Sequence, residues 1–372
     1  MNTLLATLII IVSFYIMAKV VDDQFIKSLD ILSRRLNLSP DVAGATLMAI
    51  GTSAPELSTS LYALFLPNAN PGLGVGTVIG SAIFQILVVI GFAAFVKTAY
   101  LNWRPVLRDG AFYAFSIFLL IAFVQDGVFN VYEATILLLT YLLYLFILYL
   151  WSLSSDVLNE PNPLSLVERG VAERKANRKN RENPVQGFWK KVSRVGNWVT
   201  SPLDWALELV PDPEEDERWT WPVFFYSLAM IGFLSYWLVI AAEALALGFG
   251  VPSTIVALTI LAGGSSVPEM ISSAIVSKQG RGDMAISNAI GSNVFDILIS
   301  LGLPIFIYTL FRGDLGNFGG ENVTSSIFLL FATLIAVFVL LASQRFKAGR
   351  AVGILLIAAY VVYVVMAYTG FL

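Results

Sequence analysis

Residues 42–61 read VAGATLMAIGTSAPELSTSL, and residues 255–274 read IVALTILAGGSSVPEMISSA. Both are apolar runs interrupted at the same place by Gly-(Thr/Ser)-Ser-x-Pro-Glu. A second pair follows each: GTVIGSAIFQILVVIG at 76–91 and SNAIGSNVFDILISLG at 287–302. Order and spacing agree, with 25 residues from Glu56 to Ser81 and 23 from Glu269 to Ser292. Neither Pro-Glu segment suits an unbroken helix. Pro55 and Pro268 remove a backbone donor and crowd the preceding turn, and Gly51, Gly263 and Gly264 loosen the chain just upstream. The expected result is a broken helix whose freed carbonyls face a cavity, because unpaired backbone cannot face lipid.

The surrounding chain is built for a bilayer. Of 372 residues 57% are hydrophobic and 13% charged, against roughly a quarter charged in an ordinary globular domain, and mean hydropathy is +0.76. Cysteine and histidine are both absent, which excludes disulfides, thiolate chemistry, imidazole ligands and histidine proton shuttling. No histidine-rich metal motif and no serine nucleophile with a base is recognisable, so an enzyme is not expected, nor a cofactor or a nucleic-acid partner.

Runs long enough to span hydrocarbon, about 20 residues, fall near 4–21, 42–66, 73–96, 110–125, 131–151, 222–247, 251–276, 284–308, 323–341 and 350–369. The predicted fold is an all-α polytopic membrane protein of ten transmembrane helices. The first run lacks the basic flank and small-residue exit of a cleaved signal and is kept as a span. Five spans precede a polar insert and five follow it, dividing the chain into 1–151, a loop at 152–221, and 222–372. Lysines and arginines test that count, since short cytoplasmic loops collect them. With both termini outside a cell membrane, every lysine and arginine except Arg312 lies on the cytoplasmic side. An odd number of spans per half gives the second copy the opposite orientation: an inverted repeat, as in many secondary transporters. The insert carries a basic stretch between Arg169 and Arg194 and an acidic knot from Asp212 to Glu217; the two blocks could latch, and Trp198 and Trp205 read as interfacial.

Glu56, Glu269 and Asp296 are the carboxylates deepest in these spans. An ionised side chain at that depth costs roughly 2.5–3.5 kcal/mol on insertion scales, and no lysine, arginine or histidine lies at comparable depth. The partner is therefore a mobile cation or a proton. Short oxygen donors surround the acids: Thr52, Ser53, Ser81, Gln85, Ser265, Ser266, Ser292 and Asn293. Hard oxygens with carboxylates suit calcium, and small alkali ions use the same atoms. Two couplings stay open at this point, sodium-driven calcium exchange and a proton-coupled exchange of calcium or another divalent cation. Glu243 reads as a boundary acid, Asp283 as a helix N-terminal acid, and Gly72, Gly74, Gly76 and Gly80 as a helix-packing stripe.

The motifs GTSAPELSTSL with GTVIGSAIFQILVVIG, and GGSSVPEMISSAIVSKQGRGDMAISNAIGSNVFDILISLGLPIF, closely resemble the two alpha repeats of the calcium/cation antiporter superfamily. The second half is most similar to its potassium-dependent sodium/calcium branch. The resemblance implies ten helices, with the second, third, seventh and eighth forming the ion-binding core and the first and sixth sliding across it. It implies that Glu56 and Glu269 are the central calcium-coordinating acids shared with sodium, that Thr52, Ser53, Ser265 and Ser266 add hydroxyls, and that the carbonyls of Ala49 and Ala262 complete the sites. Ser81 and Ser292 would line the cavity, and Gln85 and Asp296 would hold symmetric polar positions, the acid bearing on potassium. Two departures stand out: Gln85 replaces the usual asparagine or aspartate, and Glu269 replaces the aspartate general in potassium-dependent members.

The sidedness generates a test. In the cysteine-free chain, Asn180→Cys is expected to resist an impermeant thiol reagent applied outside intact cells and to react after permeabilisation. Labelling from outside would overturn the inverted arrangement.

Overall fold

The computed structural model describes residues 3–65, 71–152, 210–248, 262–316 and 321–368. Residues 153–209 of the expected insert at 152–221, and 249–261, which include the start of the seventh run, lie outside the described residues, as does the side chain of Glu243.

The chain folds into apolar helices. In order they are α1 (Thr3–Val20), α2 (Ile26–Arg35), α3 (Pro40–Ala43), α4 (Ala49–Thr52), α5 (Ala54–Phe65), α6 (Pro71–Phe84) and α7 (Ile90–Val96). After them come α8 (Trp103–Val124), α9 (Val131–Ser152), α10 (Thr220–Gly248), α11 (Ala262–Ser265), α12 (Val267–Lys278) and α13 (Gly282–Phe295). Last are α14 (Gly302–Arg312), α15 (Glu321–Ser343) and α16 (Arg350–Tyr368). Four π-helical turns, Val21–Phe25, Gly44–Met48, Gln85–Val89 and Asp296–Leu301, fuse neighbouring pieces into longer rods. Among the described residues six helices are long and apolar enough to cross a membrane, from Thr3–Arg35 to Ser325–Ser343. The protein is an all-α polytopic membrane protein.

Two boundaries differ from the sequence reading. The first rod does not stop near 21: it continues through Asp22, Asp23 and Lys27 to Arg35. The reason is amphipathic, since Phe25, Ile26, Leu29 and Leu32 fall on one buried stripe at helical spacing. The fourth rod starts at Trp103 rather than 110, its first turn capped by Asn102, whose side chain accepts from the Arg104 amide.

The polarity of the bundle is inverted relative to a soluble protein. Phe118, Leu142, Phe146, Val339 and Val361 are exposed along the outer faces, whereas Thr52, Ser53, Ser81, Ser272, Ser273, Asn288 and Ser292 are buried inside. Lipid supplies no hydrogen bonds, so polar side chains turn toward the protein. Ser277 on α12 donates to the Ala93 carbonyl of α7 at 2.7 Å, and Asn288 on α13 donates to Ser273 on α12 at 3.1 Å. Two hydrophobic clusters result. The larger gathers α5–α9 and α13–α16. The smaller joins α1, α2 and α10 to α12 and the start of α13, and none of the described side chains of α1, α2 or α10 enters the larger one.

Short strands tie the loops in pairs. β1 (Ala99–Tyr100) pairs antiparallel with β4 (Lys347–Ala348), and β2 (Val128–Phe129) with β3 (Leu315–Gly316). Ion pairs add further ties: Lys27–Asp212 at 2.7 Å, Arg35–Glu217 at 3.0 Å, Arg108–Asp41 at 3.2 Å and Arg281–Asp30 at 2.7 Å. Asp212 and Glu217, two of the five acids in the knot, thus have partners on α2.

Backbones approach closely where the Gly44–Met48 turn crosses α13. A Cβ on Gly291 would sit 2.6 Å from Ala45 Cα, and one on Gly44 2.5 Å from the Met284 carbonyl oxygen. By contrast no described atom lies within 4 Å of where a Cβ would be on Gly76, read as part of a packing stripe. Gly291→Ala is therefore expected to lower stability by about 1–3 kcal/mol through overpacking, while Gly76→Ala stays neutral or gains up to about 1 kcal/mol from helix propensity. Thermal unfolding in detergent measures both, and equal shifts would contradict the packing account.

Candidate functional site

Each Pro-Glu motif forms a short helix, a one-residue turn and a second helix. Ser53 interrupts the first half at φ −84°, ψ 9°. Ser266 interrupts the second at φ −88°, ψ 13°. The cause is local: Pro55 has no N–H for the Gly51 carbonyl and Pro268 none for that of Gly264. Glycine at both acceptor positions removes the side chain that a bend would crowd. The following turn presents Glu56 on α5 and Glu269 on α12.

The third and eighth rods contribute the remaining groups. Ser81 is on α6, Ser292 and Asn293 on α13, while Gln85 and Asp296 each open a π-helical turn. An extra residue per turn re-aims side chains, and such turns recur at functional sites. Glu56, Glu269, Asp296, Gln85, Ser53 and Ser266 are all fully buried.

The bonding is reciprocal between the halves. Ser266 donates to Glu56 Oε1 at 3.1 Å, and Ser53 donates to Glu269 Oε1 at 3.4 Å. Ser265 likewise lies against Glu56 and Thr52 against Glu269. Gln85 Nε2 donates to Asp296 Oδ2 at 3.0 Å and reaches Ser266 Oγ at 3.5 Å. The equivalent polar positions of the two halves therefore touch each other.

The other expected donors bond mainly within their own helices. Thr52 donates to the Met48 carbonyl at 3.0 Å and Ser81 to that of Val78 at 2.9 Å. Ser265 donates to the Ala262 carbonyl at 3.2 Å. Asn293 donates to the Ala289 carbonyl at 3.0 Å. The Ala49 and Ala262 carbonyls accept the Ser53 and Ser266 amides, and each also accepts a side-chain hydroxyl, from Thr52 at 3.5 Å and from Ser265 at 3.2 Å.

Several oxygens at the site have no hydrogen-bond donor among the described residues: Glu56 Oε2, Glu269 Oε2, Gln85 Oε1, Ser292 Oγ and Asn293 Oδ1. No described lysine or arginine pairs with Glu56, Glu269 or Asp296. Buried acceptors without donors are costly, and carboxylates, amide oxygens and hydroxyls are the donor set of hard cations. Among the described residues no group of three acidic side chains stands at metal-ligating spacing.

Three groups escaped the sequence reading. Ser300 donates to Asp296 Oδ1 at 3.2 Å from the next turn; an i, i+4 search from each deep acid would have found it. Tyr113 on α8 and Tyr141 on α9 lie within electrostatic reach of Asp296, and their hydroxyls have no partner among the described residues. Those two come from distant rods, and no sequence spacing announces them.

Comparison with known proteins agrees with this architecture. The chain is 26% identical to a probable sodium/potassium/calcium exchanger of Drosophila melanogaster, over 98% of its own length and 79% of the relative's. It is 29% identical to human sodium/potassium/calcium exchanger 5, over 95% of its length and 80% of the relative's. The fold matches that of the sodium-calcium exchanger NCX_Mj, with TM-score 0.65 at 22% identity, covering 98% of this chain and 99% of that one. The profile of the family described as sodium/calcium exchanger protein matches residues 6–150 and 219–369, both halves on either side of the insert, and the chain belongs to that family of membrane antiporters.

Proposed function

We propose that this antiporter exchanges calcium for sodium at a single alternating-access site built from Glu56, Glu269, Asp296 and the hydroxyls and amides around them. The observation that carries this reading is the reciprocal pair of serine–glutamate hydrogen bonds, each half supplying the donor for the other half's acid. A cation binding there draws on both halves at once, so loading and release are coupled to their relative movement. Ser81, Gln85, Ser292 and Asn293, with the carbonyls of Ala49 and Ala262, complete the oxygen set.

The proposed frame is ten spans in two inverted halves, 1–151 and 222–372, joined by a cytoplasmic loop, with both termini outside. The loop pairings support it. β1 and β4 come from two loops assigned inside, and β2 and β3 from two assigned outside. The ion pairs Lys27–Asp212, Arg35–Glu217, Arg108–Asp41 and Arg281–Asp30 all join segments assigned inside. A miscounted span would set strands from opposite sides against each other.

Calcium-45 uptake into proteoliposomes under separately imposed sodium, potassium and proton gradients tests the coupling. Uptake following the sodium gradient is expected; uptake driven by pH alone would replace sodium with protons. Glu56→Gln and Glu269→Gln keep volume and remove charge, and each is expected to reduce calcium flux to background while the protein remains folded in the membrane. Near-normal exchange in either variant would make that acid structural.

Asp296 has a separable role in this reading. The three acids carry a formal −3, which three sodium ions neutralise and one calcium leaves at −1. A potassium ion bound with calcium, or a proton, restores the balance, and Gln85 already directs its amide at Asp296. The relatives named above are sodium/potassium/calcium exchangers, which favours potassium. Asp296→Asn is expected to remove potassium stimulation while retaining part of the sodium-driven calcium flux. Loss as complete as in Glu56→Gln would make Asp296 a primary calcium ligand.

A further inference from the structure

Away from the ion site, a cavity of about 420 Å³ lies in the cleft between α15 and α16, with α6 and the following π-helical turn as its floor. Its walls are apolar: Val337 and Leu340 from α15, Leu355 and Val362 from α16, and Ile83 and Leu87 on either side of Gln85. From Leu329 to Leu340, and equally from Leu355 to Met366, the lining advances by eleven helical steps on each helix. At 1.5 Å per residue that is about 16 Å, close to one leaflet of a hydrocarbon core roughly 30 Å thick.

The end of the cleft is capped by charge. The turn from α15 to α16 carries Arg345, Lys347 and Arg350, and the β1–β4 pairing brings the 97–104 loop alongside with Lys97 and Arg104. All five are exposed. Neither 342–352 nor 97–108 contains an aspartate or glutamate. Tyr100 and Trp103 are 75% and 52% exposed on the same platform, with Lys347 over the Tyr100 ring at 5.3 Å and Arg104 over Trp103 at 5.8 Å. Exposed tyrosine and tryptophan mark the headgroup layer, and clustered cations without acids there attract anionic lipid.

We propose that this cleft is a specific site for one anionic glycerophospholipid, an acyl chain lying between α15 and α16 and its phosphate resting on Lys347 and Arg350. A chain-length apolar slot and a cationic cap at its mouth are separate observations, and one amphiphile satisfies both. The bound chain would pack directly behind the helical turn that carries Gln85, on the face away from the ions.

The test is native mass spectrometry of the full chain in detergent supplied with equal amounts of palmitoyl-oleoyl phosphatidylcholine and phosphatidylglycerol. Wild type is expected to retain phosphatidylglycerol preferentially. The Lys347→Gln/Arg350→Gln double variant should lose at least tenfold of that preference, at about fivefold per cation. Ala336→Phe, or Ala359→Phe from the opposite wall, fills the slot and should lose retained lipid of either kind. Thermal unfolding and sodium-driven calcium uptake verify folding of each variant. Equal retention of the two lipids by wild type means an ordinary lipid annulus and overturns the proposal. So does a preference unchanged in the double variant, or retention unchanged when either wall is filled.

Discussion

The molecule is organised around three buried carboxyl groups that no cationic side chain among the described residues approaches. In hydrocarbon such groups survive only where the protein aims donors at them or a mobile cation joins them. Ser53, Ser266, Gln85 and Ser300 supply the donors, and one oxygen of each glutamate stays without one among the described residues. That partial satisfaction suits a transporter. Fully bonded acids would have little affinity for an ion, and unbonded acids would be too costly to hold in place between cycles.

The constraint reaches outward through backbone geometry. Reciprocal bonding needs the two broken rods to come within side-chain reach, and that needs close helix crossings where Gly44 and Gly291 remove the Cβ atoms that would intervene. The π-helical turns at Gln85 and Asp296 meet the same demand differently, by rotating one residue in each rod toward the centre. Small residues at the crossings and an extra residue at the turns thus achieve what a regular straight bundle could not.

The sequence discloses this site because its strongest local signals coincide there. Proline before a deep acid, glycines just upstream and a second copy of both are readable without tertiary knowledge. Loop charge suggested sides for the loops but not which of them pair. What stayed hidden depends on packing across the bundle. A π-helical turn has no composition of its own, so the direct bond from Gln85 to Asp296 could not be separated from two symmetric positions that never meet. Tyr113 and Tyr141 reach Asp296 from rods remote in sequence. The continuation of α1 into α2 was partly legible: the charges at Asp22, Asp23 and Lys27 suggested a loop, but Phe25, Ile26, Leu29 and Leu32 already carried the period of a buried helical stripe.

The division into two hydrophobic clusters bears on how exchange is driven. α1, α2 and α10 share the smaller cluster, and Lys27–Asp212 and Arg35–Glu217 bind α2 to the segment leading into α10. Those contacts hold the three elements as one body. The same cluster also contains Val267 and Val276 of α12 and Met284 and Ala285 of α13, so these three elements meet the rest through apolar surface. Asp30–Arg281 is different in kind: a buried ion pair at 2.7 Å between α2 and the residue just before α13. Separating a buried pair strands both charges unless water or new partners reach them. Arg281 adjoins α13, which carries Ser292 and Asn293 and leads into the turn that opens with Asp296, so this pair links α2 to the rod that bears those groups. In the proposed alternating-access cycle, movement of α1, α2 and α10 against the rest must either keep this pair intact or give each charge water or a new partner.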